Sequence, residues 1–277
     1  AYIEKIIVVF TSILISIVLV RNLEMNEYGD YKLITSLLAI TTFITSFGLS
    51  NSLSRFGKEY ESKNYIEKLK RLFKTIIFFK VIVLFLYCSV LYVFNKELIS
   101  FFNLPSLLNN LLFLFSLFII IFIQQINRII GKSFQVIFYQ NYVNSVSVTI
   151  GSLAKFALFY LASLSEEPIK NIILYFLYVE GFMFTLNFVF ALVKYKNLTK
   201  KNHIKDIYKI TPEDKMRIIR FASYSFLTVS AAMGRSTITD NLIVSHFFNK
   251  EIFALYAFSC AFIMIQSNLN IWRIYDE

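Results

Sequence analysis

The sequence predicts an all-α fold, a polytopic membrane helix bundle of about eight transmembrane helices, and three observations predict it. Apolar residues make up 57% of the 277-residue chain and the mean hydropathy is +0.60, above the roughly 45–50% apolar content of soluble domains. Those residues gather in runs close to the roughly 20 residues that a bilayer crossing needs. All three prolines, Pro105, Pro168 and Pro212, fall between the runs, as they must if helical hydrogen bonding continues unbroken through hydrocarbon.

The runs lie at 6–20, 33–53, 75–94, 107–126, 145–164, 171–193, 221–248 and 252–271. The first is short for a span, and the chain begins at Ala1, so a native N-terminus is expected to be missing. A signal-peptide reading is disfavoured, because Arg21-Asn22-Leu23-Glu24 follows that run without a small-residue cleavage site. Residues 1–200 are expected to form a first six-helix lobe, 201–220 a cytoplasmic linker, and 221–277 the start of a second lobe with two helices.

Orientation follows from lysine and arginine, since acidic residues contribute little to it. The second, fourth and sixth connections hold 18 of these cations, among them Arg55, Arg128, Lys132 and nine within 194–220. The four alternate connections hold five: Arg21, Lys32, Lys96, Lys170 and Lys250. Even-numbered connections and both chain ends are therefore expected in the cytoplasm. The net charge of +10 is what this rule deposits beside anionic headgroups, so it calls for membrane lipids and no nucleic acid.

Ionisable groups at bilayer depth cost roughly 2.5–3.5 kcal/mol each on insertion scales and should face protein, water or a ligand. Lys155 and Glu180 lie on the fifth and sixth runs, each about 12 residues, or roughly 18 Å, from the centre of the connection between them. Sharing one depth, they are expected to meet across the hairpin, with Gly181 easing the approach. The pair either locks the hairpin or belongs to a polar transport cavity; both readings put it inside the bundle. On the seventh run, Arg235 and Asp240 sit in a polar stretch and point about 140° apart, so each is expected to face a water-filled cavity with its own partner. Lys80, six residues beyond Lys74, is expected to snorkel back to the headgroups. Gln124, Gln125 and Asn127 gather where hydrated helix ends are common and where a vestibule would also be lined.

Cys88 and Cys260 sit inside apolar runs and read as small buried hydrophobes. His203 and His246 are isolated, so no metal site, catalytic group or cofactor is expected. The abundant aromatic residues read as lipid-facing bulk and interfacial anchors.

A shift of 225 positions overlays the first hairpin on the seventh and eighth runs: Leu23 on Phe248, Tyr28 on Phe253, Gly29 on Ala254 and Tyr31 on Tyr256. Six helices separate the copies, so both run in the same direction, which describes two lobes about an axis along the membrane normal. A second lobe is thus expected to begin here, with some four to six helices beyond the chain.

Arg21 and Leu23 with Tyr28-Gly29-Asp30-Tyr31, Phe47-Gly48-Leu49-Ser50-Asn51 with Arg55, and Asp240 with Ala254-Leu255-Tyr256 resemble motifs of a known family. It is that of the Wzx-type O-antigen and polysaccharide flippases of the multidrug/oligosaccharidyl-lipid/polysaccharide exporter superfamily. A glycine usually precedes the second-lobe tyrosine; Ala254 and Leu255 stand here. The resemblance implies a transporter, not an enzyme, of a bacterial cytoplasmic (inner) membrane. It would move polyprenyl-diphosphate-linked oligosaccharide to the outer leaflet by alternating access. Lys155 and Arg235 would counter the diphosphate, and Glu180 and Asp240 would hold those cations or bind a coupling ion, H+ or Na+. Partners would include other polysaccharide-assembly membrane proteins. A multidrug efflux pump of the same superfamily, and a membrane polymerase or acyltransferase, are the rival readings.

Overall fold

The computed structural model describes residues 2–102, 108, 110–138, 141–201, 211–233 and 237–268. Among these residues there is no strand. The first half contains α1 (Tyr2–Asn22), α2 (Met25–Ile44), α3 (Leu49–Ser62), α4 (Ile66–Val93), α5 (Asn95–Phe102) and α6 (Leu111–Asn127). A π-helical turn, Arg128–Ser133, then joins α6 to α7 (Phe134–Ile137). Next come α8 (Asn141–Ser163), α9 (Pro168–Lys201), α10 (Pro212–Met233), α11 (Thr237–Phe247) and α12 (Lys250–Asn268).

Local chemistry explains several of these starts. Pro168 and Pro212 are the first residues of α9 and α10, where a missing N–H costs no helical bond. Glu24 and Glu27 form a reciprocal cap at α2. At α10, the Thr211 N–H donates to Asp214 Oδ2 (3.2 Å) and the Asp214 N–H to Thr211 Oγ1 (3.1 Å). This helix begins inside the stretch expected as linker.

Every expected run overlaps helix, yet fewer helices qualify singly as spans. Four described helices are long and apolar enough to cross a membrane: Ile66–Val93, Leu111–Ile137, Tyr142–Ser163 and Pro168–Lys196. The pair α2 and α3, bent by 46°, makes a fifth if taken as one span. That bend is sharp because Phe47 (φ 45°) and Gly48 (φ 64°) both adopt left-handed backbone, ending one helix and starting the next. The seventh run takes in the end of α10 and all of α11. Its 11-residue α11 rises only about 16 Å, half the hydrocarbon thickness, and Arg235 lies outside the described residues.

Two apolar clusters hold the bundle. One joins α1, α2, α6, α9 and α12 around the wholly buried Leu19, Leu33, Ile120, Ile172 and Phe253; the other joins α3, α4, the π turn and α7 around Leu53, Ile129 and Ile137. Outside them, α4 exposes Phe78, Phe85, Leu86 and Val93, an apolar face of the kind that lipid covers.

The helical hairpin of α8 and α9 closes differently from the sequence expectation. A β-carbon on Gly181 would meet nothing within 4 Å, whereas one on Gly151 would lie 2.2 Å from Met183 Sδ. Gly151 is therefore the residue that admits the partner helix, because Gly181 points away from it.

The helices after Thr211 meet the earlier ones at both ends of the bundle. At one end, a β-carbon on Gly29 would lie 3.7 Å from that of Ala254, and Lys250 Nζ lies 2.7 Å from Asp30 Oδ1. At the other, the α2–α3 bend docks on α10: Phe43 and Phe47 each stack on Phe226 at 5.4 Å, and Asn51 Nδ2 donates to Ser225 Oγ at 2.6 Å. Lys68 pairs with Asp214 (2.8 Å) and Arg217 with Glu59 (3.2 Å) to complete that contact.

Candidate functional site

Between these two contacts lies a cavity of about 740 Å3, within the range of small-molecule sites. α1, α2, α6, α8 and α9 line it together with Val229 and Met233 of α10 and Ile238 of α11. Its charged lining residues, among those described, are Arg128, Lys132, Lys155 and Glu180. Three cations thus face one carboxylate.

Lys155 and Glu180 meet as their shared depth predicts, with Nζ 2.7 Å from Oε1. The same oxygen accepts Gln124 Nε2 at 3.3 Å, and the Lys155 ammonium sits 4.4 Å from the centroid of the Phe176 ring. Thr42 Oγ1 donates to Gln124 Oε1 (3.3 Å), while Gln125 Nε2 donates to the Thr42 carbonyl (2.7 Å). Glu180 is 7% exposed and Lys155 23% through its side chain, so the carboxylate is set in protein and the ammonium turns toward the cavity. Arg128 is close enough to be attracted to Glu180.

The other expected site residues are placed elsewhere. Asp240 is half-buried on α11, within electrostatic reach of Tyr256, and neither lines the cavity. The motif residues Arg21, Tyr28, Gly29, Tyr31, Gly48, Asn51 and Arg55 do not line it either. Most of them build the contacts with α10 and α12. Tyr28 packs edge-on against Phe258 of α12 at 6.3 Å. A β-carbon on Gly48 would fall 2.3 Å from the Ala222 carbonyl oxygen, and the Arg55 guanidinium lies 4.4 Å from the centroid of the Phe221 ring. Tyr31 instead packs within the first lobe, against Phe159. Arg21 is exposed at the end of α1.

Arg128 and Lys132 were expected in a loop, whereas the helix continues through them as the π turn. Lys80 corrects a second expectation: it is 0% exposed and does not snorkel. Its Nζ has no hydrogen-bond partner, and its charged neighbour is Arg128. Its residue spacing from Lys74 gave its depth but not the side of α4 from which it departs.

The fold and its site define a polytopic helical membrane protein with a charged cavity among α1, α2, α6, α8 and α9, closed off in part by α10 and α11. The family model for polysaccharide biosynthesis proteins matches residues 3–270, and the chain belongs to that family. Comparison with curated proteins and with solved structures returns no match.

Proposed function

We propose that this protein is a flippase, carrying polyprenyl-diphosphate-linked oligosaccharide from the cytoplasmic to the outer leaflet of a bacterial inner membrane for surface polysaccharide assembly. The observation that carries the reading is the cavity between the lobes, with Arg128, Lys132 and Lys155 facing one carboxylate, Glu180. A diphosphate cannot cross hydrocarbon unaided, and such a wall replaces part of its hydration with charge-assisted hydrogen bonds while the polyprenyl tail stays in lipid. An excess of cations is the wrong sign for a pump of cationic drugs.

By the distribution of lysine and arginine, the α3–α10 contact and the N-terminus belong to the cytoplasmic side, and the Gly29–Ala254 contact to the outer side. Lys155 and Arg128 then bind the diphosphate, Glu180 holds Lys155 when the cavity is empty, and the lobes rock to expose the cavity to each side in turn. Arg235 joins the cations, and Asp240 holds a cation or a coupling ion, H+ or Na+. No covalent chemistry on the sugar is part of this reading.

The test uses the full-length protein in cells lacking the native gene. Loss of the gene should accumulate lipid-linked sugar on the cytoplasmic leaflet, and the Lys155→Ala/Arg128→Ala and Lys155→Ala/Arg235→Ala variants, with membrane insertion verified, should fail to clear it. Clearance at the unaltered rate by both variants would overturn the assignment.

A further inference from the structure

Gln124, Asn127 and Arg128 reach the cavity at the i, i+3, i+4 spacing of one α-helical face. Continued α winding would centre Gly131, seven residues after Gln124, on that face and leave Lys132, eight after, at its edge. Lys132 lines the cavity and Gly131 does not. Gly131 turns to α9: a β-carbon on it would lie 2.8 Å from Asn127 Oδ1 and 2.9 Å from Asn187 Nδ2. The π turn Arg128–Ser133 accounts for the change, because it admits one extra residue and so rotates the following face by about 100°.

π winding is rare and needs support from its surroundings. Asn187, 0% exposed, supplies it from α9. Its Nδ2 donates to Asn127 Oδ1 and to Ser147 Oγ, both at 3.0 Å, and its Oδ1 accepts Gln135 Nε2 at 2.9 Å. Asn127 immediately precedes the turn and Gln135 closely follows it, so one side chain bridges both ends. Gln135 is wholly buried too and accepts the Asn144 N–H at 2.6 Å. From the opposite side, Ser133 Oγ donates to the Ser50 carbonyl at 3.0 Å.

We infer that Asn187 is a positioning residue: it clamps the π turn at both ends and thereby sets Lys132 on the cavity face beside Arg128, where the two meet the anionic end of the substrate. The role of those cations rests on the flippase reading; their placement does not. The clamp touches no substrate, and its effect passes through the turn.

The experiment reads placement directly. In the full chain with Cys88→Ala and Cys260→Ala, Lys132→Cys is labelled with a water-soluble methanethiosulfonate, with Ile129→Cys as the buried control. Lys132→Cys should react and Ile129→Cys should not. Adding Asn187→Leu should slow the reaction at 132 about tenfold, the scale of one lost buried hydrogen bond, and Asn187→Gln should restore much of it. Gln135→Met releases the other end of the clamp and should act in the same direction, so it carries the test if Asn187→Leu does not fold. An unchanged labelling rate at 132 in a folded Asn187→Leu or Gln135→Met protein overturns the clamp, whatever happens to export. Should Lys132→Ala/Arg128→Ala leave export intact while the labelling pattern holds, the role of those two cations in binding the substrate falls and the clamp stands.

Discussion

Lys155 Nζ lies 2.7 Å from Glu180 Oε1 across the α8–α9 hairpin, and the two partners are unequally buried. That inequality predicts unequal effects of removing each. Lys155→Met leaves a carboxylate set in protein, whereas Glu180→Gln leaves an ammonium that can turn into the cavity. Breaking a fully buried pair costs about 3–5 kcal/mol, and partial exposure lowers that figure. Lys155→Met should therefore lower the melting temperature in detergent more than Glu180→Gln does. The reverse order would mean that the carboxylate, not the ammonium, is the group with access to water.

Lys80 gives a prediction of opposite sign. A buried polar group without a hydrogen bond costs about 1–3 kcal/mol in proteins, and Lys80 meets that description. Lys80→Met keeps the length of the side chain and removes the charge, so thermal unfolding should shift upward. A marked drop would show that the ammonium has a stabilising partner.

Two glycines separate backbone need from accident. Gly48→Ala must adopt a left-handed φ of 64° and bring a methyl group to 2.3 Å from the Ala222 carbonyl oxygen. The conformation alone costs about 1–2 kcal/mol, and the contact forces α10 away from the bend. Gly181→Ala meets open space and should stabilise α9 by about 0.5–1 kcal/mol. Thermal unfolding of the two variants should move in opposite directions.

Acid should loosen the contact of α3 and α4 with α10. The Lys63 hydrogen bond, aided by Arg217, holds the Glu59 carboxyl below the usual range. At Asp214 burial pushes upward, but hydrogen bonds from Lys68 and Thr211 outweigh it and the carboxyl is also lowered. Both groups have depressed folded values, so their stabilisation is present above the unfolded range of about 3.9–4.3 and is lost as pH falls through the folded values. Lys63 and Arg217 are more than half exposed, which keeps the Glu59 effect under about 1 kcal/mol. A pH series of melting temperatures should be flat from pH 7 to about 5 and fall below about 4, and less steeply in Glu59→Gln/Asp214→Asn; an equal decline in that variant would contradict the assignment.

What was legible in the sequence was what depends on distance along the chain. Every apolar run overlapped helix, and equal depth brought Lys155 to Glu180, because both follow from a fixed rise per residue. The overlay paired Gly29 with Ala254 as equivalent positions, and the structure brings the two into contact. What depends on rotation was hidden. Nothing local announced that the helix after Asn127 would widen, so Arg128 and Lys132 read as loop and Asn187 was not singled out. Lys80 and Gly181 were misjudged for the same reason, since the direction in which a side chain leaves a helix is decided by its neighbours. The bend at Phe47 and Gly48 also required tertiary contact, where the stacked Phe226 ring holds Phe47 in a backbone conformation it rarely takes.

The near-touching of Gly29 and Ala254 has a mechanical meaning. Short side chains at that point let the two helices approach closely, while the Tyr28–Phe258 packing and the Lys250–Asp30 ion pair hold the seam together. Used as a fulcrum, that seam would have a lever arm of nearly the full hydrocarbon depth, about 30 Å. A roll of about 10° there would carry the far ends of the helices roughly 5 Å apart, enough to unstack Phe226 from Phe43 and Phe47 without unwinding a turn of helix.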